Sequence, residues 1–235
     1  MCGKHPRCGQ NGFSLIELLI AMTLGLILLA GVVAVFITTN ASLTTNRQLD
    51  RSQETLRFAA TLLTNELRQA SLLLDPDTGF PLELSPIDVD QEGADTHVIT
   101  VRYEVVNNGE AVHCDGSAMA AGESVEKVFF VNEAGALVCQ SGLASGTLQS
   151  PEELVFGLNR IRIEEWIGTP EAPEPYTLRN YATLAALEAV GDILVGVRIL
   201  LEHERVAGQN QAFVMTVAIR NQVLEWFIRS QESTS

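Results

Sequence analysis

Gly12-Phe13-Ser14-Leu15-Ile16-Glu17 runs directly into LLIAMTLGLILLAGVVAVFI, residues 18–37, and this stretch decides how the rest of the chain is read. From Leu18 to Ile37 there are 20 residues without a charge. As a helix, that length crosses a hydrocarbon core of about 30 Å. Lys4 and Arg7 precede it. Basic residues stay on the cytoplasmic side, which places the bulk of the chain outside the cytoplasm. A secretory signal would have a core of about 7–15 residues and a small-residue cleavage site after it. This run is longer, and Ala30 and Ala34 lie inside it. A lipoprotein signal would carry its cysteine after the run, whereas Cys8 comes before it. A plain membrane anchor fits the length but leaves Glu17 unexplained. A carboxylate at a membrane centre costs roughly 2.5–3.5 kcal/mol, less near the interface, and the run offers it no partner.

Gly12 to Leu18, followed by the apolar run, resembles the cleavage and methylation signal of type IV prepilins. The resemblance implies that a membrane aspartyl peptidase, the prepilin peptidase, cuts after Gly12 on the cytoplasmic side. The same enzyme then methylates the new N-terminal amine, that of Phe13. It also implies a role for Glu17, which neutralises the N-terminal amine of a neighbouring subunit during assembly. A buried carboxylate is tolerated when an ammonium sits beside it. The expected division of the chain is a removed leader at 1–12, a transmembrane and filament-core helix at 13–37, an amphipathic continuation at 38–74 and a β-rich globular domain at 75–235.

The chain has 235 residues, 46% of them hydrophobic, and a formal net charge of −14. The acid is spread from Glu54 onward, and such a polyanion repels phosphate backbones, which argues against a nucleic-acid partner. After Ile37 the chain turns polar but keeps a helical period. Leu49, Leu56, Ala60, Leu63, Leu67, Ala70 and Leu74 recur at steps of seven, four and three, a narrow apolar stripe along a helix. Arg47, Asp50, Arg51, Glu54, Arg57, Glu66 and Arg68 fall mostly elsewhere. A continuous helix from Phe13 to about Leu74 would be roughly 90 Å long. Gly25 and Gly31 are either points where its first part bends or sites of close helix packing.

Pro76, Gly79, Pro81 and Pro86 end the helix. Strand-like runs follow at His97–Val106, Lys127–Val131, Ala136–Gln140, Leu154–Trp166, Ile193–His203 and Ala212–Arg220. Asn107-Asn108-Gly109, Asn132–Gly135 and Gly208-Gln209-Asn210 read as turns. Thr169–Pro175 reads as an exposed loop, and Thr183–Val190 as a short helix. The fold class is α+β: a long N-terminal helix packed on a mostly antiparallel sheet, as in type IV pilins. Within that class the chain resembles the PilW-type minor pilins. The matching stretches are Leu56-Arg57-Phe58-Ala59 through Leu67-Arg68, the Gly93-Ala94-Asp95-Thr96 entry into a Val-Arg-Tyr strand, Val197-Arg198-Ile199-Leu200-Leu201, and Thr216-Val217-Ala218-Ile219-Arg220-Asn221.

Cys114 and Cys139 lie near the ends of adjacent candidate strands, and in an oxidising compartment they read as a disulfide. Such a bridge would stabilise by roughly 3 kcal/mol in the chain-entropy model. The rival is a metal site with His113, which lacks a clear fourth ligand. Cys2 and Cys8 fall in the leader. Asp88, Asp90, Glu92 and Asp95 form an acidic stretch that begins like an EF-hand calcium loop, but Ile99 stands where that loop needs its glutamate. The stretch is therefore either a solvated turn or a calcium site of another geometry. His97 and His203 sit in strand-like runs, and Tyr103, Trp166 and Trp226 read as packing residues. There is no nucleophile elbow, Walker loop, H-E-x-x-H or dinucleotide fingerprint. The chain accordingly reads as non-enzymatic, with no cofactor.

The resemblance implies a minor pilin that joins a tip or priming complex of a type IV pilus, a fimbrium serving twitching motility, cell adhesion and sometimes DNA uptake. Its implied partners are other minor pilins and the major pilin, the prepilin peptidase and the inner-membrane assembly platform. Its implied location is the bacterial inner membrane, single-pass with the globular domain in the periplasm, and then the pilus at the cell surface. Three rival readings stand beside it: a J-type minor pseudopilin of a type II secretion system, an adhesin module, and a membrane-anchored enzyme.

Overall fold

The computed structural model describes residues 14–70, 87–92, 96–108, 111–144, 146–171, 177–206 and 209–219, with the backbone alone at 91, 92, 204–206, 209 and 210. Contacts divide the chain into two units, residues 1–48 and 49–235.

The helix α1 spans Leu15–Gln69. Its early part is apolar on every side, and no residue of its most apolar window is buried within the chain. Leu15, Leu28 and Phe36 are all more than 60% exposed. Gly25 and Gly31 lie within the helix, and a Cβ at either would meet nothing within 4 Å. The hydroxyls of Thr23 and Thr38 donate to Ile20 O and Ala34 O at 2.9 Å. Both polar groups are thus satisfied inside an apolar segment.

From position 49 the same helix is one-sided. Ser52, Leu56, Ala59, Ala60, Leu63 and Leu67 are buried, followed by Ala70 just past its end. The expected stripe is observed, with the helix ending at Gln69; Leu74 and the prolines at 76, 81 and 86 lie outside the described residues.

Among the described residues nine strands follow, all paired antiparallel: β1 Ile87–Glu92, β2 Thr96–Glu104, β3 Ser124–Val131, β4 Ala136–Leu143, β5 Glu152–Phe156, β6 Leu158–Thr169, β7 Arg179–Tyr181, β8 Ile193–Val206 and β9 Gln209–Ala218. They form two sheets rather than one. The first is a five-stranded meander, β1-β2-β3-β4-β5, and the second has the order β7-β6-β8-β9. The inner faces of both sheets and the α1 stripe share one core, with Ile99, Val101, Phe129, Leu137, Ile161 and Ile199 almost inaccessible to solvent.

Several expected boundaries shift. The run read as one strand from Leu154 to Trp166 is two, broken at Gly157. There the backbone takes φ +89°, and a Cβ would come within 2.8 Å of the His203 ring. Only glycine fits both demands. β2 stops at Glu104, short of Val106, and β9 begins at Gln209, inside the stretch read as a turn. The short helix α2, Leu184–Val190, forms as expected. Thr183 Oγ1 caps it by accepting from Ala186 N, and Gly191 closes it in a left-handed conformation. Asn132–Gly135 makes the expected turn between β3 and β4; Asn132 Oδ1 accepts from Ala136 N at 2.9 Å. Residues 172–176 of the proline-rich loop, Trp226 and the tail lie outside the described residues.

Among the described residues Lys127 on β3 is the one buried lysine, 4% exposed. It occupies the inward register of Val125 and Phe129, opposite Val101. Its ammonium donates to both oxygens of Glu66 on α1, at 2.8 and 2.9 Å. It also lies 5.7 Å from the Tyr103 ring centroid, and the Tyr103 hydroxyl donates to Glu66 at 3.5 Å. Burial, then the Glu66 carboxylate, pushes the Tyr103 hydroxyl far above its ordinary value. Removing one partner of a buried pair strands the other without compensation, at about 3–5 kcal/mol, whereas replacing both with apolar side chains is often neutral. Glu66→Leu alone is therefore expected to lower unfolding free energy strongly. The double change Glu66→Leu with Lys127→Met should restore most of it. Denaturant unfolding of the four proteins of the cycle measures this, and equal losses in single and double variants would refute it.

Candidate functional site

Two regions concern function: the start of α1 and the seam where the two sheets meet. At the first, Ser14 precedes the helix, and its carbonyl accepts from Leu18 N at 3.2 Å. Glu17 lies three residues on, in the first turn. Ser14-x-x-Glu17 has the spacing of a capping box, and a carboxylate there is favoured by the exposed amides of the helix start. Glu17 is exposed within the chain. Gly12 and Phe13 lie outside the described residues. Glu17 is thus a carboxylate at the head of an uncovered apolar helix, with no ion-pair partner shown among the described residues.

Cys114 and Cys139 are joined in a disulfide. It ties the loop between β2 and β3 to β4, and both sulfurs are thereby taken from any metal site with His113. Ser141, wholly buried on β4, organises the same loop: its Oγ accepts from Cys114 N at 2.9 Å and lies 3.2 Å from His113 Nδ1. The Ser117 hydroxyl and then its backbone N–H, both donating to Asp115, hold that carboxyl below its usual range.

The first part of the acidic stretch lies in a strand rather than a turn. Asp88 and Asp90 belong to β1, because Ile87 and Val89 alternate with them and the strand pairs along β2. Asp88 accepts from Val89 N at 2.9 Å and stands 4.0 Å from Arg102, which is bonded to Glu126. The Glu92 side chain and Asp95 lie outside the described residues. Among the described residues no group of three His, Cys, Asp or Glu side chains is placed to hold a metal.

At the seam, side chains replace the missing backbone ladder between β2 and β6. Thr96 Oγ1 lies 3.5 Å from Ile161 O and accepts from Ile161 N at 3.4 Å. His97 Nδ1 accepts from Ile163 N at 3.1 Å. Burial, and then the Arg162 charge, lowers the His97 pKa from its ordinary value. Beside this seam a cleft of about 410 Å³ opens between β1 and α2, with Asp88, His97, Trp166 and Glu188 among its walls. Tyr103 and Trp166 are buried, as the packing reading expects. Sequence reasoning missed the role of His97; its signal was a histidine within a strand of Val and Ile, a position that needs a polar partner.

Residues 7–33 match the family model described as the prokaryotic N-terminal methylation motif. No curated protein matches the chain. The match takes in the residues just before α1 and the first part of that helix, and with the apolar helix and antiparallel sheets it supports a type IV pilin- or pseudopilin-like protein. That class is structural rather than enzymatic. The motif and the uncovered helix support membrane anchoring, processing by a prepilin peptidase and contact with pilus-type assembly machinery.

The seam has a pH consequence. A protonated His97 cannot accept from Ile163 N, and its folded-state pKa lies below its unfolded value. The folded state therefore binds fewer protons, so this stability is present above about pH 6.5 and is lost as pH falls through the folded pKa. Arg162 on β6 opposes protonation, while Asp88 on β1 and Glu188 on α2 line the same cleft. His97→Asn, which keeps an acceptor near Nδ1, should flatten the decline in thermal midpoint between pH 7 and 5 relative to the parent. An unchanged slope would remove His97 as its source.

Proposed function

We propose that the chain is a minor pilin of a type IV pilus, acting in a tip or priming complex. The observation that carries this is the methylation-motif match at residues 7–33, joined to a helix whose apolar surface the chain leaves uncovered. In this reading residues 1–12 are removed, the Phe13 amine is methylated, and 13–37 passes from the membrane into the filament core. There Glu17 pairs with the N-terminal amine of a neighbouring subunit. An ammonium next to that carboxylate offsets its desolvation, which lipid alone cannot do. The sheet domain from residue 75, in the periplasm and then at the cell surface, determines which minor and major pilins it meets. The looser resemblance to PilW-type sequences supports the minor rank.

Intact-mass measurement of the mature protein should show loss of residues 1–12 and one added methyl group; an uncut N-terminus refutes the reading. Glu17→Val should still insert into the membrane but enter sheared pili poorly, and normal incorporation would remove the pairing role. Deletion should abolish or reduce surface pili. A secretion defect with normal piliation would instead favour a type II secretion pseudopilin.

A further inference from the structure

The cleft beside the sheet seam has a chemistry that filament assembly does not use. Its volume of about 410 Å³ lies in the range of small-ligand pockets, about 300–1,000 Å³. Asp88 and Val89 of β1, His97 of β2, Trp166 of β6, and Leu184 and Glu188 of α2 contribute to its walls. The frame is held on both sides: α2 is capped at each end and anchored by buried Leu187, and His97 is fixed to the β6 backbone.

The polar groups select among ligand classes. No lysine or arginine is among the lining residues, and the carboxylates of Asp88 and Glu188, the first with Arg102 4.0 Å behind it, offer acceptors that suit a hydrogen-bond donor better than an anion. His97 Nδ1 is occupied by the Ile163 N–H, so in the neutral ring Nε2 carries the proton and is a donor. A metal ion would need a lone pair at Nε2, which this tautomer lacks. An ammonium would bring its own N–H groups against that donor. A hydroxyl suits both kinds of partner, because it can donate to a carboxylate and accept from the imidazole. Val89 and Leu184, with the small accessible part of the otherwise buried Trp166, add an apolar wall for C–H groups.

We propose that this cleft binds a neutral polyhydroxylated ligand, a sugar ring, with Asp88 and Glu188 accepting from its hydroxyls, His97 donating to one, and the Val89–Leu184–Trp166 wall meeting its C–H face. The site is independent of whether the chain assembles in a pilus or in a secretion filament.

The test uses the full chain in dodecylphosphocholine micelles, a detergent without a sugar headgroup. Glucose, galactose, mannose and N-acetylglucosamine are titrated separately while the His97 ring and Trp166 indole resonances are followed by NMR. At least one sugar should shift both resonances saturably, with a Kd on the order of 1 mM or tighter; glycerol should not. Ala185 lies on the exposed side of α2 and lines the cleft. Ala185→Trp, which obstructs the cleft, and Glu188→Gln, at an exposed position, should each weaken binding about tenfold or more. Their thermal midpoints should match the parent, which separates loss of the site from loss of the fold. Absence of saturation by every sugar overturns the proposal. So does saturation that neither variant affects, or binding of Nα-acetyl-lysine methylamide in place of the sugars.

Discussion

Residues 15–37 present apolar side chains on every side of a helix, and the chain does not bury them. Exposing such surface to water costs about 25 cal/mol per Å², so this segment exists in lipid or against other apolar helices. The remainder must build its core without that segment. Buried residues of α1 begin at Ser52, and from there a single stripe serves the sheets. One helix thus carries two surfaces of different chemistry. Glu17 is the one charge set at the head of the first.

In the second unit the stripe supplies the burial energy and the Glu66–Lys127 pair supplies direction. An apolar stripe on a sheet tolerates small rotations and slides. A lysine with both carboxylate oxygens at hydrogen-bond distance, and a tyrosine hydroxyl on the same carboxylate, does not. The two sheets are registered in a comparable way, through Thr96 and His97 bonding to the β6 backbone. Each joint between layers therefore combines non-directional packing with at least one polar contact of fixed geometry.

The helix and the class of fold were legible because their signals are long. The charge-free run, the stripe of Leu56, Leu63 and Leu67, and the Asn132–Gly135 turn each repeat a local rule over enough residues to stand out. What was hidden depended on single residues whose environment only the tertiary fold supplies. Lys127 looks like a solvent-facing residue until Val125 and Phe129 are seen to face inward with it. Asp88 and Asp90 masked a strand, since two acids outweigh Ile87 and Val89 in any reading of composition. Gly157 divides a continuous run of strand formers through a backbone angle that no neighbouring residue announces. The split into two sheets follows from that break. At the start of α1, Glu17 was legible as an electrostatic anomaly, whereas the cleft joins residues from β1, β2, β6 and α2 that no spacing rule connects.

The meander β1-β2-β3-β4-β5 has a kinetic consequence. Every ladder in it joins strands adjacent in the sequence; three close over short connections with little entropy lost, while β2 and β3 close over the disulfide-tied loop of residues 105–123. The second sheet is different, because β6 must wait for β7 and α2 to pass before it meets β8. A chain delivered N-terminus first can thus lay down the first sheet while its last strands are still to arrive. Until β6 docks, Thr96 and His97 lack their backbone partners, and the inner face of β2 is open to any other strand that reaches it.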